Sequence, residues 1–114
     1  MPYLKIQTNQ KLPVDGAKNL ARKASALVSK QLGKPESYVM TAVETNPAMT
    51  FAGTDAPLAF LELKSIGLSD SITAEASRAL CELVSTEAAI DSARIYIEFS
   101  DAERRMWGWD KGTF

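Results

Sequence analysis

Pro2, Leu4 and Ile6 alternate with Tyr3, Lys5 and Gln7, a period of two that predicts a strand over Pro2–Gln7. A proline is tolerated at its head because the first residue of a strand can lack its N–H. After the connection Thr8–Pro13 the period changes. Asp15 offers a helix N-cap, and Ala17, Leu20, Ala21, Ala24, Leu27, Val28 and Leu32 follow at helical spacing. Gly33 suits the C′ position of that helix and Pro35 prevents its continuation. Tyr38–Thr45 reads as the second strand, broken by Asn46-Pro47, with a loop over Thr50–Ala56. Leu58–Ile66 is almost continuously apolar, which predicts a buried central strand closed by Ser65-Ile66-Gly67. Ser69–Ser71 then offers caps for a second helix with the stripe Ile72, Ala76, Ala79, Leu80, Leu83 and Val84. Cys81 beside that stripe reads as a small hydrophobe. In the last strand, Arg94–Phe99, Ile95, Ile97 and Phe99 share one face while Tyr96 and Glu98 share the other. Trp107 and Trp109 in the tail point the same way if that segment is extended.

Two strand–helix–strand units emerge, Pro2–Thr45 and Leu58–Phe99, alike in element order and unlike in residues. Each crossover makes its two strands parallel and right-handed. Joining the units predicts an α+β fold, a four-stranded mixed sheet with both helices on one face, in a single domain over 1–114. The other face is then uncovered. Tyr96 and the Trp107/Trp109 pair lead us to expect an apolar surface there, which oligomerisation would bury.

Composition narrows the chemistry. The 114 residues are 46% apolar and 24% charged, with a net charge of −1, so nothing favours nucleic acid or an anionic membrane. No segment has the length of a membrane span, and the N-terminus lacks the pattern of a signal peptide. The expected location is cytosolic, with leaderless secretion as the alternative. There is no histidine, which removes the histidine-based nucleophilic mechanisms and most zinc sites. One cysteine allows neither an internal disulfide nor a Cys-x-x-Cys pair, and no glycine-rich phosphate loop is present. A catalyst built from this chain must use amines, carboxylates, hydroxyls or backbone N–H groups, with no cofactor and no metal.

Pro2 is the most suggestive amine. Cells usually trim an initiator methionine before proline, which would leave a secondary amine on a strand that can hold it inside the protein. An α-amino group has an ordinary pKa near 8, about a unit above neutral, and apolar burial lowers it toward the value a general base needs. A proline in second place is otherwise just a tolerated start.

Pro2, Thr8-Asn9, Gly33-Lys34-Pro35, Ser65-Ile66-Gly67, Arg94-Ile95-Tyr96-Ile97 and Gly108-Trp109 with Thr113-Phe114 occur in order along nearly the whole chain. In this set the chain resembles the macrophage migration inhibitory factor family of the tautomerase superfamily. The resemblance implies a homotrimer whose sheets wrap a central barrel, with an active site at each subunit boundary. It implies that Pro2 is the catalytic base, and that Lys34 and the Ile66 backbone N–H bind a substrate carboxylate. Tyr96 of a neighbouring subunit, Trp109 and Phe114 would line the pocket. Read without the resemblance, Lys34 is equally a solvated helix cap, Tyr96 an interface residue and Ile66 plain core.

Three departures stand out. Leu58-Ala59-Phe60-Leu61 occupies the place of the Cys-x-x-Cys of mammalian members, so thiol oxidoreductase chemistry does not carry over. Glu98 replaces the family's active-site asparagine, and Trp107 replaces a smaller aliphatic residue and would narrow the pocket. The activity expected is keto–enol tautomerisation of a small aromatic 2-oxo acid such as phenylpyruvate. The alternative is a non-catalytic, cytokine-like trimer that binds or signals with an idle pocket. Hydration or dehalogenation of an unsaturated acid, with Arg104 and Arg105 supplying cations, is a third reading.

Overall fold

The computed structural model describes residues 1–114. Its strands and helices run β1 (Tyr3–Thr8), α1 (Val14–Leu32), β2 (Met40–Thr45), β3 (Ala59–Ile66), α2 (Thr73–Ala88) and β4 (Ile95–Ala102). A hairpin of β5 (Gly108–Trp109) and β6 (Gly112–Thr113) follows. The sheet order is β2-β1-β3-β4. β1 runs parallel to β2 and antiparallel to β3, and β3 runs parallel to β4. The expected mixed sheet of two crossover units is the one found.

Burial explains the arrangement. On β1 the residues Leu4, Ile6 and Thr8 are completely buried, and on β3 so are Leu61, Leu63 and Ser65. Leu4, Ile6, Leu61 and Leu63 join Leu20, Ala24 and Val28 of α1 and Leu80, Val84 and Ala88 of α2 in a core cluster of 13 residues. Each fully buried Leu or Ile is worth about 1.5–3 kcal/mol, so this layer dominates the stability. The three alanines Ala24, Ala76 and Ala79 keep the helices thin where they approach the sheet and each other. Cys81 is partly buried against the cluster, and burial raises its thiol pKa, opposed by a hydrogen bond from Ser77.

Several local expectations are corrected. α1 begins at Val14 after Pro13, so Asp15 sits in its first turn, where the helix dipole favours an acid, and caps nothing. Gly33 does close α1 in the left-handed conformation, φ 64°. Tyr38 lies in a 3-10 turn, Glu36–Tyr38, and β2 starts only at Met40. Ser69 caps a 3-10 turn, accepting from the Ser71 N–H, and α2 starts beyond it at Thr73. β3 is central but buried on one face only, with Glu62 half-buried and Lys64 exposed on the other. The uncovered face is therefore not the apolar surface expected. Its rows mix Tyr3, Met40, Phe60 and Tyr96 with charges, among them Lys5–Glu44 at 3.5 Å and Lys64–Glu62 at 3.9 Å. Alternation along β1 and β3 places those side chains opposite the helices.

Candidate active site

Pro2 stands immediately before β1, and its carbonyl accepts a hydrogen bond from the Met40 N–H at 2.9 Å. The parallel pairing of β1 with β2 brings the two strand beginnings together, with Tyr3 opposite Met40. Pro2 is less than 2% exposed. Met1 lies over it, and its ammonium donates to the Tyr38 carbonyl at 2.8 Å. Burial lowers the pKa of that ammonium, and the positive charge of Lys34 lowers it further.

A cavity of about 520 Å³ opens at Pro2, walled by Tyr38, Val39, Met40, Trp107, Trp109 and Phe114, with Lys64 at its margin. The tail forms its aromatic wall by folding back. Asp110 (φ 48°) and Lys111 (φ 69°) join β5 to β6 in a two-residue turn with both residues left-handed, the backbone that suits a tight hairpin. The turn returns Phe114 to Trp107, whose carbonyl accepts the Phe114 N–H at 3.2 Å. Trp109 and Phe114 stack, with centroids 5.5 Å apart and planes at 17°. Tyr38 meets both rings edge-on at 6.3 Å.

Lys34 is outside this cavity's lining. Its ammonium reaches from the end of α1 to β3, donating to Ser65 Oγ at 2.9 Å and to the Ile66 carbonyl. Burial lowers the Lys34 pKa, Asp101 opposes the shift and Arg104 adds to it. Ile66 is buried and lines a second, shallower depression with Arg104 and Arg105. Phe114 lines both depressions, so it stands between Pro2 and Ile66. Pro2, Trp107, Trp109 and Phe114 thus share one cavity; Ile66 lines the other depression with Phe114, and Lys34 lines neither but is bonded to the Ile66 carbonyl.

Tyr96 and Glu98 are not brought to Pro2 within the chain. Tyr3 is opposite Lys64, and Lys64 is opposite Ser100, which leaves Tyr96 four residues away along β4. Tyr96 is 63% exposed and lies on Phe51, with centroids 4.6 Å apart. Glu98 is opposite Glu62. Tyr38, Met40 and Lys64 are cavity residues that the sequence reading missed. The signal for Met40 was the crossover itself, because parallel strands start side by side.

Comparison with known proteins decides the family. The family model described as macrophage migration inhibitory factor matches residues 1–114. This chain belongs to the macrophage migration inhibitory factor family. A macrophage migration inhibitory factor homolog of Brugia malayi is 39% identical over 116 residues, covering 100% of this chain and 99% of that protein. Among solved structures, the homologue from Prochlorococcus marinus superposes with a TM-score of 0.93 at 39% identity, covering 98% of both chains. The Entamoeba histolytica macrophage migration inhibitory factor-like protein gives 0.94 at 29% identity, covering 99% of this chain and 98% of that one.

The family match agrees with the resemblance read from the ordered motifs. Within this family member, no three His, Cys, Asp or Glu side chains gather as a metal site, and no helix is long and apolar enough to cross a membrane. The cavity combines a buried secondary-amine precursor, an aromatic wall and nearby cations. That set suits proton transfer on an apolar anion.

Proposed function

We propose that the protein is a cofactor-independent keto–enol tautomerase for aromatic 2-oxo acids of the phenylpyruvate type. The observation that carries this reading is Pro2, buried at the back of an aromatic-walled cavity at the head of β1. With Met1 attached, the Pro2 nitrogen is an amide and has no basic lone pair. With Met1 removed it is a secondary amine in apolar surroundings, and burial holds its pKa below the ordinary value of about 8. The free amine takes the proton from the carbon next to the substrate carbonyl. Proton removal leaves an enolate, and the ammonium then protonates its oxygen to give the enol; in the reverse direction the amine takes the enol proton and the ammonium delivers it to the carbon.

Lys34 and the Ile66 N–H anchor the substrate carboxylate, and Trp107, Trp109 and Phe114 hold its ring. Trp107 narrows the slot toward flat aryl groups. A homotrimer of single tautomerase-like domains over 1–114 completes the site, with Tyr96 and Glu98 entering from the adjacent subunit. An ionised Glu98 near the amine would favour its ammonium form and oppose the effect of burial.

The test is the pH profile of phenylpyruvate tautomerisation by trimmed protein. The acid limb of kcat/KM reports the free enzyme, and it should lie below about 8. Pro2→Ala, which removes the ring and its fixed direction, should lose most of the rate while staying folded by circular dichroism. A rate unchanged in Pro2→Ala overturns the assignment.

A further inference from the structure

Lys64 is the only charged side chain lining the Pro2 cavity. It follows directly from the register, because Lys64 is the residue opposite Tyr3, next to Pro2. Its neighbour Ser65 points to the other face of β3, where it holds the Lys34 ammonium. Two cations therefore approach the head of β1 from opposite faces of one strand. Lys64 is also lightly committed. Its single ion pair, to Glu62, is 3.9 Å long, beyond hydrogen-bond distance, and its side chain is 46% exposed. An ammonium with three donors can turn toward an occupant of the cavity at little cost.

We propose that Lys64 forms a second anion subsite, so that the cavity prefers ligands carrying a negative group at the end remote from the 2-oxo acid. The inference rests on the reading that the cavity at Pro2 is the substrate site, and it narrows the substrate class. The first carboxylate lies at Lys34 and Ile66, the ring lies against Trp109 and Phe114, and the distal anion meets Lys64. A neutral ring such as that of phenylpyruvate fits the slot but leaves Lys64 to Glu62 or, in the proposed trimer, to the Glu98 that enters the site. A 2-oxo acid whose aryl group bears a carboxylate, sulfate or phosphate uses both cations.

The probes are cinnamate and 4-carboxycinnamate, which are planar, carry the first carboxylate, and have no carbonyl to tautomerise. Binding to the trimmed, full-length protein is read from tryptophan fluorescence, since both tryptophans of the chain line the cavity. A half-exposed cation pairing with a carboxylate should favour 4-carboxycinnamate about fivefold at low salt. Lys64→Arg should keep that ratio, Lys64→Ala should bring it close to unity, and Lys64→Glu should invert it. The ratio compares two ligands on one protein, so partial unfolding of a variant weakens both alike. Equal affinities in the unmutated protein, or the same preference in Lys64→Ala, overturn the subsite. Phenylpyruvate turnover is measured on the same samples. Its absence with the preference intact would count against Pro2 as the base and leave Lys64 standing, whereas turnover without preference would remove Lys64 alone.

Discussion

Replacing Phe114 by alanine should loosen the wall of the cavity without unfolding the protein. β5 and β6 are two residues each, too short to stand alone, and their turn puts two non-glycine residues in the left-handed region. That conformation costs about 1–2 kcal/mol for each of Asp110 and Lys111. The hairpin therefore depends on the contacts of its rings. Phe114 makes two, the stack on Trp109 and the edge contact with Tyr38. Each such pair is worth about 0.5–1.5 kcal/mol beyond the area it buries, so their loss amounts to about 1–3 kcal/mol. At 1.4 kcal/mol per factor of ten, local opening should become roughly 5- to 150-fold more frequent. Native-state hydrogen exchange reads this at two amides, that of Trp107, bonded to the Arg104 carbonyl, and that of residue 114, bonded to the Trp107 carbonyl. Both should lose protection by that factor after correction for intrinsic rates. The β3 amides, which lie in the core layer and open only globally, should keep theirs. Phe114→Leu, which keeps apolar area but no ring, should fall between. Unchanged protection at both tail amides would show that the rings do not hold the hairpin.

Lys34→Ala should reduce turnover of an aromatic 2-oxo acid far more than turnover of its methyl ester, and equal losses would return Lys34 to being a tie between α1 and β3. Ala89 ends α2 at φ 55°, exposed, where glycine carries no such penalty. Ala89→Gly should therefore raise stability by about 0.5–1 kcal/mol in urea unfolding, and a loss would contradict the strain. Sedimentation at micromolar concentration should give a particle about three times the 12.4 kDa chain mass, and a monomer would remove any site shared between subunits.

Much of the layer structure was legible because it repeats along the chain. Leu20, Ala24 and Val28 mark the buried stripe of α1, Gly33 marks its end, and Ile95, Ile97 and Phe99 mark the inward face of β4. Helix starts were less legible, since Asp15 is as suited to a first turn as to a cap. The character of the uncovered face was misread because it was judged from Tyr96 and the two tryptophans. Alternation put Glu98 beside Tyr96, but the pairing of strands was needed to show that Lys5, Glu62 and Lys64 share that face. The tail hairpin escaped notice because Asp110-Lys111 lacks the glycine that usually announces such a turn. Pro2, Trp107, Trp109 and Phe114 were identified from sequence and do share a cavity. Lys64 and Tyr38 were not, because their place depends on register across the sheet and on a short 3-10 turn.

The central claim is that the nitrogen of Pro2 is the base, and Met1 controls whether it exists. The direct measurement takes one preparation that retains Met1, confirmed by mass, and assays phenylpyruvate tautomerisation before and after an aminopeptidase removes that residue. A positioned general base contributes about 10²–10⁴-fold, so kcat/KM should rise by at least about a hundredfold on trimming. Equal rates before and after would contradict the account.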